Sequence, residues 1–464
     1  MAHAPASPAI DAAAIRATLA DAGADPVHVR EILARGREAR GLDAADAARL
    51  TAVTDPELLD ELFAAARAVK EGIYGRRLVL FAPLYVSNLC ANDCLYCAFR
   101  VGNGGVRRRA LDQDGVAREV ASLLDEGHKR LLLVAGEAYA RGGFRYVLDC
   151  LETIYAARSG RGTIRRVNVN IAPVGIDEFR ALKAAGIGTY QVFQETYDRE
   201  AYARAHAAGP KRDYDRRLAV MDAAMAAGID DVGIGVLFGL ADWRFELLAL
   251  LAHAAHLDAR WGAGPHTISV PRLEPAAGAP LAERPPAPVS DGDFRKLVAI
   301  LRLAVPYTGI ILSTRETPAM RREAFALGVS QISAGSRTDP GGYGETGERA
   351  AAQFSLGDHR PLDEVIRDVA EHGYVPSFCT ACYRLGRTGA DFMDLAKPGA
   401  IKAHCDPNAL ATFQEYLRDY ASPATRAAGE AAIAAALDRL PDGPRRRAAA
   451  MLERVRAGED DVFC

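Results

Sequence analysis

The chain has 464 residues, 49% of them hydrophobic and 25% charged, which is enough for a large core and for more than one domain. Its net charge of −3 gives no reason to expect nucleic acid or an anionic membrane surface as a partner. No apolar run approaches the roughly 20 residues of a membrane span, and the N-terminus lacks the basic start and apolar core of a signal peptide, so we expect a cytoplasmic protein.

The periodicity of the sequence changes near residue 77. Residues 1–76 are alanine-rich and helical in period, and Asp55-Pro56 is typical of an N-cap before a helix that continues to Val69. Short apolar runs then alternate with amphipathic stretches. The predicted strands are 77–86, 130–137, 166–173, 189–196, 231–239, 266–273, 309–316 and 330–335. The predicted helices among and after them include 113–126, 213–227, 242–257, 291–304 and 361–372.

This alternation predicts an α/β fold. Eight strand–helix units are the count of a (β/α)₈ TIM-type barrel, and an open doubly wound sheet is the alternative. We predict an N-terminal helical segment over 1–76, the barrel over 77–373 and a C-terminal cluster-binding extension over 374–464. The glycine-rich stretch 336–351 is expected to be irregular, and the basic tail 425–457 to be helical.

Six of the eight cysteines fall into two tight groups, which is typical of metal or cluster ligation and not of disulfides. In "NLCANDCLYCAFR", Cys90, Cys94 and Cys97 are spaced C-x3-C-x2-C. Three soft thiolates suit an iron–sulfur cluster and leave one metal position open for a small molecule. The loop follows the first predicted strand and therefore lies at the C-terminal, or top, mouth of the barrel. A zinc site with a distant fourth ligand is the alternative.

An aromatic residue before the last cysteine makes this loop resemble the signature of the radical S-adenosylmethionine (SAM) enzymes. The resemblance implies a 4Fe–4S cluster on these cysteines, with SAM at the open iron and a 5′-deoxyadenosyl radical formed by one-electron cleavage. Gly136-Glu137 partly matches the family's Gly-Gly-Glu motif, with Ala135 in place of the first glycine. The resemblance also implies a set of residues that bind the cofactor. For its charged residues, Glu137, Glu195 and Arg217, a purely structural role is the alternative. That set is Tyr96, Gly136, Glu137, Asn170, Glu195 and Arg217.

The second group, Cys379, Cys382 and Cys405, has the spacing C-x2-C-x22-C. A zinc site that recruits His404 is one reading of this group. With "PHTISVPRL", "YQVFQETY" and "SQISAGSRTDPGGY", the group instead resembles the HydG family, the radical SAM tyrosine lyases that mature FeFe-hydrogenase. The resemblance covers roughly residues 50–425. The related ThiH tyrosine lyases of thiamine synthesis have the first cysteine group without the second.

The HydG resemblance implies a reaction. L-Tyrosine is cleaved at Cα–Cβ to p-cresol and dehydroglycine, and dehydroglycine is converted to carbon monoxide and cyanide. An auxiliary 4Fe–4S cluster with an extra iron (5Fe type) collects these ligands, together with cysteine. The implied partners are L-tyrosine, SAM, an electron donor such as ferredoxin or flavodoxin, and other hydrogenase maturases. A ThiH-like 2-iminoacetate synthase and a two-cluster iron–sulfur scaffold are the alternative functions.

The resemblance implies that His266 is the ligand of the extra iron. The alternative is a histidine whose ring nitrogens are hydrogen-bonded within the bottom face. It begins its predicted strand, so it is expected at the N-terminal, or bottom, mouth, on the order of 25 Å from the first cluster. The products would then have to travel through the barrel. Arg315 and Ser313, at the end of the seventh strand, form a candidate catalytic pair for the tyrosine carboxylate. An ion pair of Arg315 with Glu316 or Glu137 is the alternative. Glu274 is expected to alter the charge of the bottom face.

Overall fold

The computed structural model describes residues 10–139, 142–344 and 352–464. Within the stretch predicted to be irregular, residues 336–344 contain turns and no helix or strand, and 345–351 lie outside the described residues. No helix in the described part of the chain is both long enough and apolar enough to span a membrane.

Four helices precede the barrel. Each begins after an aspartate whose side chain accepts backbone N–H groups of the first turn, which is the usual reason for a helix to start there. Only the last of them was predicted as a bounded helix. They are α1 (Ala12–Ala20), α2 (Pro26–Arg37), α3 (Ala44–Thr51) and α4 (Pro56–Tyr74).

The strands are short except for the first. They are β1 (Arg77–Ser87), β2 (Arg130–Ala135), β3 (Arg158–Ser159), β4 (Gly162–Thr163), β5 (Arg166–Asn170), β6 (Tyr190–Gln191), β7 (Val232–Gly235), β8 (Thr267–Ser269), β9 (Gly309–Leu312), β10 (Gln331–Ser333) and β11 (Val375–Ser377). The strands β3 and β4 form a separate antiparallel hairpin.

Eight parallel strands close into a barrel in the order β1, β2, β5, β6, β7, β8, β9 and β10. Closure is made by β10, which pairs back onto β1 with Leu80 opposite Ile332. The predicted (β/α)₈ barrel is therefore confirmed, and the open sheet is excluded. A ninth strand, β11, pairs with the first three residues of β1, with Arg77 opposite Val375. It attaches the C-terminal extension to the bottom of the barrel.

Helices of the barrel and its loops are α5 (Gln113–Asp125), α6 (Arg145–Ala156), α7 (Ile176–Ala184), α8 (Arg199–Ala205), α9 (Tyr214–Leu218), α10 (Val220–Ala226), α11 (Trp243–Trp261), α12 (Pro280–Glu283), α13 (Asp291–Ala304), α14 (Pro318–Leu327) and α15 (Leu362–Glu371). The predicted helix 213–227 is divided between α9 and α10.

The extension contains α16 (Ala381–Arg384), α17 (Gly389–Ala396), α18 (Lys402–Asp419), α19 (Pro423–Arg439) and α20 (Asp442–Arg456). The tail predicted as one helix is interrupted at Pro441, which caps α20. The central helix α18 packs against β11, α19 and α20. The domain boundaries at residues 76 and 373 stay predictions.

Candidate active site at the top mouth and second cysteine site at the bottom

The first cysteine loop is held in place by backbone pairing with a distant segment. The N–H of Leu95 donates to the Ala205 carbonyl at 2.8 Å, and the N–H of Asp93 donates to the Ala208 carbonyl at 2.9 Å. These bonds present the three thiols to one cavity at the top mouth. That cavity is lined by all eleven residues predicted for this end: Cys90, Cys94, Cys97, Tyr96, Gly136, Glu137, Asn170, Glu195, Arg217, Ser313 and Arg315.

Tyr96 is buried against His206. The Nδ1 atom of His206 lies 2.8 Å from the Tyr202 carbonyl and therefore carries the proton. Its Nε2 atom, 2.9 Å from the Tyr96 hydroxyl, is then the acceptor. Burial lowers the pKa of His206 to about 3, so the imidazole is neutral. The ring of Tyr96 is thus fixed between the second and third cysteines.

Two carboxylates and two cations meet beside the cysteine loop. Glu137 accepts from Arg217 Nη1 at 2.8 Å and from Asn92 Nδ2 at 2.8 Å. Glu195 accepts from Lys211 Nζ at 2.6 Å. Burial alone would raise the pKa of Glu137, but Arg217 and Lys211 outweigh it and hold the pKa at about 2. The balanced cluster can therefore bind both ends of an amino-acid zwitterion.

The backbone at this cluster is unusual at two positions. Glu195 has a φ of 71°, a left-handed conformation that non-glycine residues rarely adopt. At Gly136 an added Cβ would lie only 2.2 Å from the Leu89 carbonyl oxygen, so only glycine fits. The close approach lets the cysteine loop lie directly on the end of β2, beside Glu137.

Arg315 is a half-buried cation that forms no ion pair with a carboxylate among the described residues. Its guanidinium lies 3.3 Å from the Phe354 ring centroid, and its Nη1 atom donates a long hydrogen bond of 3.5 Å to the Arg272 carbonyl. Glu316 instead pairs with Arg272 at 2.9 Å. The alternative of an ion pair for Arg315 is therefore wrong, and its charge remains available to a ligand in the cavity.

Sequence reasoning missed three polar residues of this site. Lys211 lies in a short 3₁₀ turn, Asn92 lies inside the cysteine loop, and Gln353 donates to the Cys97 sulfur at 3.5 Å. None of them sits on a periodic element, although Asn92 could have been suspected from its place in the motif. The expected bottom-face position of Glu274 is wrong. That residue follows the C-terminal end of β8 and interacts electrostatically with Glu316 at the top.

At the bottom mouth, one cavity is lined by His266 together with Cys379, Cys382 and Cys405. His266 Nε2 lies 2.9 Å from the Tyr383 hydroxyl, and its Nδ1 lies 3.4 Å from Asp231 without a hydrogen bond. Burial lowers the pKa of His266, which favours the neutral form that binds metals. The four residues that sequence analysis assigned to the auxiliary site are thus adjacent, and their roles stay predictions.

The thiol spacing suits an iron–sulfur cluster better than a single zinc ion. Zinc–sulfur bonds of about 2.3 Å in a tetrahedron bring thiolates to roughly 3.8 Å from one another. Among the described residues, no set of three cysteine sulfurs lies within 4.8 Å of one another. A four-iron cluster binds each thiolate through a separate iron, so it does not require the three sulfurs to lie this close.

Three buried arginines surround the bottom cysteines. Arg77, Arg130 and Arg166 are 8%, 7% and 3% exposed, and each has a buried guanidinium N–H without a hydrogen-bond partner in the described part of the chain. Asp231 lies 3.7 Å from Arg166. A cluster held by three thiolates carries negative charge and acceptor sulfurs, so this cationic lining fits such a group.

Residues 458–464, here called the strap, hold the second cysteine site together. Asn408, one helical turn after Cys405, exchanges two hydrogen bonds with the backbone of Cys464 at 2.8 and 3.0 Å. Arg387, in the loop after α16, donates to the same Cys464 carbonyl at 2.8 Å. The strap therefore connects the loop of the C-x2-C motif to the helix that supplies the third cysteine.

Comparisons with known proteins agree with this geometry. Residues 84–252 match the Radical SAM superfamily model, and residues 269–375 match the Biotin and Thiamin Synthesis associated domain. The barrel, the top cysteine loop and these matches define a radical SAM enzyme, a class that uses a 4Fe–4S cluster and SAM.

A narrower family follows from individual relatives. The 2-iminoacetate synthase of Escherichia coli is 34% identical over 322 residues, which are 68% of this chain and 82% of that protein. A crystal structure of HydG, a maturase of the FeFe-hydrogenase, is 48% identical with a TM-score of 0.94, covering 98% of this chain and 99% of that one. HydG from Carboxydothermus hydrogenoformans is 40% identical with a TM-score of 0.83, covering 95% and 98%. The chain belongs to the HydG family.

Proposed function

We propose that this protein is a radical SAM L-tyrosine lyase that serves FeFe-hydrogenase maturation. It cleaves tyrosine at Cα–Cβ to p-cresol and dehydroglycine, and carbon monoxide and cyanide from the fragment are assembled on an auxiliary iron. The observation that carries the proposal is the pair of three-cysteine sites at opposite mouths of one barrel. A 2-iminoacetate synthase would need only the top site, and the HydG structures match the extension as well.

At the top mouth, Cys90, Cys94 and Cys97 would hold a 4Fe–4S cluster, which together with SAM would supply a primary radical able to take a hydrogen atom from the amino group of tyrosine. Glu137 binds the SAM ammonium, because its pKa near 2 keeps it ionised at any physiological pH. Arg217 and Lys211 are proposed to pair with the SAM carboxylate. The Tyr96 ring and the loop that carries it exclude water from the same wall.

Arg315 and Ser313 are proposed to bind the tyrosine carboxylate. The guanidinium of Arg315 is half-buried, lies against Phe354 and has no ion-pair partner among the described residues, so a substrate carboxylate would supply one. This fixes the amino group of the substrate near the centre of the cavity while the phenol ring extends into its apolar part.

The barrel interior supports transfer of small products to the bottom. Two strands show how close the two cavities are. On β1, Phe81 lines the top cavity and Val79, two residues earlier, lines the bottom cavity. On β10, Ser333 and Gln331 are related in the same way. Phe81 packs in an apolar layer between the two. Such a layer admits small molecules such as carbon monoxide and hydrogen cyanide more readily than charged ones. His266 is proposed to hold the extra iron that receives them.

An anaerobic assay tests the function. Reconstituted protein with SAM, tyrosine and dithionite is expected to yield 5′-deoxyadenosine, p-cresol and carbon monoxide. p-Cresol without carbon monoxide would favour a 2-iminoacetate synthase. Absence of SAM cleavage would favour an iron–sulfur scaffold.

The cellular setting is part of the same proposal. All eight cysteines are free, as in a reducing compartment, so we place the protein in the cytoplasm. A ferredoxin- or flavodoxin-type donor would supply the electron, and other maturases would receive the iron–carbonyl–cyanide unit.

A further inference from the structure

A second cavity lies outside the bottom cysteine site, between α4, α18 and α19. Its volume is 240 Å³, and Arg77 lies on the wall that it shares with the cysteine cavity. Two consecutive residues of α18 line the opposite sides of this wall. Cys405 lines the inner cavity and Asp406 lines the outer one. The outer cavity is therefore positioned as a vestibule to the auxiliary site.

Arg77 is an anomaly of this wall. It is 8% exposed, and no hydrogen bond or ion pair joins its side chain to any residue that the structure describes; the Tyr74 ring lies 5.4 Å from its guanidinium. A buried guanidinium is strongly disfavoured without an acceptor. Cys405 and Cys379 attract this guanidinium from the inner cavity, and Arg77 also lines the outer cavity, where an acceptor that enters can reach it.

Asp406 supplies the opposite charge. Its carboxylate approaches the backbone at Gly75, where an added Cβ would lie 3.0 Å from Oδ1. Asp406 and Arg77 act on each other electrostatically, yet no ion pair of 4.0 Å or less joins them. Because this carboxylate and this guanidinium stand apart, one small molecule with a positive and a negative end can bridge them.

The remaining charged side chains of the cavity favour an anion at its mouth. Arg76 is bonded to Glu71 at 3.1 Å, and Lys402 contacts the Glu71 carbonyl at 3.5 Å. Arg439 also lines the cavity. The lining thus contains more cations than carboxylates, which draws a carboxylate-bearing ligand inward.

We propose that this vestibule binds a free α-amino acid as a zwitterion, with its carboxylate on Arg77 and its ammonium on Asp406, before it reaches the bottom cysteine site. The proposal rests on the proposed function for the identity of that amino acid, which is L-cysteine as the ligand of the extra iron. Arg77 and Asp406 are then the specificity-determining residues for a substrate whose side chain, a thiol, is directed to the metal.

Three thiols test this recognition by anaerobic calorimetric titration of the full-length reconstituted protein. L-Cysteine has both charged groups, cysteamine lacks the carboxylate, and 3-mercaptopropionate lacks the ammonium. Wild-type protein is expected to bind L-cysteine at least about tenfold more tightly than either analogue. Arg77→Gln should abolish the preference over cysteamine alone, and Asp406→Asn should abolish the preference over 3-mercaptopropionate alone. Arg426→Gln, an exposed change on α19, controls for the loss of one positive charge.

Several outcomes would overturn the proposal. One is that wild-type protein does not distinguish the three thiols. Another is that Arg77→Gln weakens binding of all three equally, as expected if this arginine only neutralises the cluster. Should Arg77→Gln lose bottom-site iron, Arg77→Lys keeps the charge without the bidentate fork and must still reduce the preference over cysteamine. p-Cresol is measured in the same preparations. If the wild type forms no p-cresol, the proposed lyase function is refuted, and the amino-acid binding proposal is still decided by the binding preferences.

Discussion

Replacing Glu137 with glutamine leaves Arg217 and Lys211 with a single carboxylate, Glu195, at the top mouth. The side chain of Glu137 is only 15% exposed, so solvent screens the lost interactions weakly. Its pKa is held at about 2 against an ordinary value of 4.5. At about 1.36 kcal/mol per pKa unit, the ion pairs contribute on the order of 3 kcal/mol to folding at neutral pH.

The sign of the pH dependence follows from the lowered pKa. The contribution of Glu137 is fully present above its unfolded pKa of 4.5 and is lost as the pH falls toward 2. Urea denaturation of the cluster-free chain, followed by circular dichroism, should show Glu137→Gln destabilised by about 3 kcal/mol at pH 7. The difference from wild type should shrink as the pH falls below about 5.

A matched control separates this effect from the substitution itself. Glu152 on α6 has a side chain that is 78% exposed, and its ion pair with Arg145 is long, at 3.7 Å. Glu152→Gln should therefore change stability by less than about 0.5 kcal/mol. In the reconstituted protein, Glu137→Gln should also weaken SAM binding by about 10- to 100-fold, as for a lost hydrogen bond to a charged group. The reasoning is refuted if Glu137→Gln is no less stable than the control, or if its pH profile matches that of wild type.

Three further substitutions test the remaining assignments. Arg315→Gln should raise the KM for tyrosine by about 10- to 100-fold with SAM binding unchanged; an unchanged KM would remove Arg315 from the substrate site. His266→Ala should retain p-cresol formation and lower iron-bound carbon monoxide, measured by infrared spectroscopy, whereas loss of both together would contradict its placement at the bottom. Cys379→Ser should lower the iron content and abolish carbon monoxide formation while p-cresol continues. Loss of p-cresol in that variant would show that the two sites are not independent.

The barrel was predictable because its strands are short apolar runs that alternate with amphipathic helices. Each predicted strand begins within one residue of the observed one, but most end too late. The run 266–273, for example, contains only Thr267–Ser269 as strand, because its apolar residues continue into the top loop. The ninth strand was missed, since three residues with Pro376 in the middle give no strand pattern.

The grouping of the cysteines at two cavities was predictable from their spacing, while the surroundings of the two groups were not. Lys211 and Asn92 reach Glu137 and Glu195 from a turn and a loop, where no periodicity points to a partner. The unpaired state of Arg315 could not be inferred either. Its neighbour Glu316 is adjacent in sequence, but both residues lie in the turn after β9, where no periodicity fixes the side-chain directions, and Glu316 reaches Arg272 instead.

The strap has a consequence for the order of events during synthesis of the chain. The bottom site draws on α4, β1, α16 and α18, and its loop and helix are joined by residues that emerge from the ribosome only after residue 457. The lining of the top cavity, in contrast, is complete by Phe354. Iron delivered during translation would therefore find the top cysteines assembled first, and the second site would be completed only after the strap has left the ribosome.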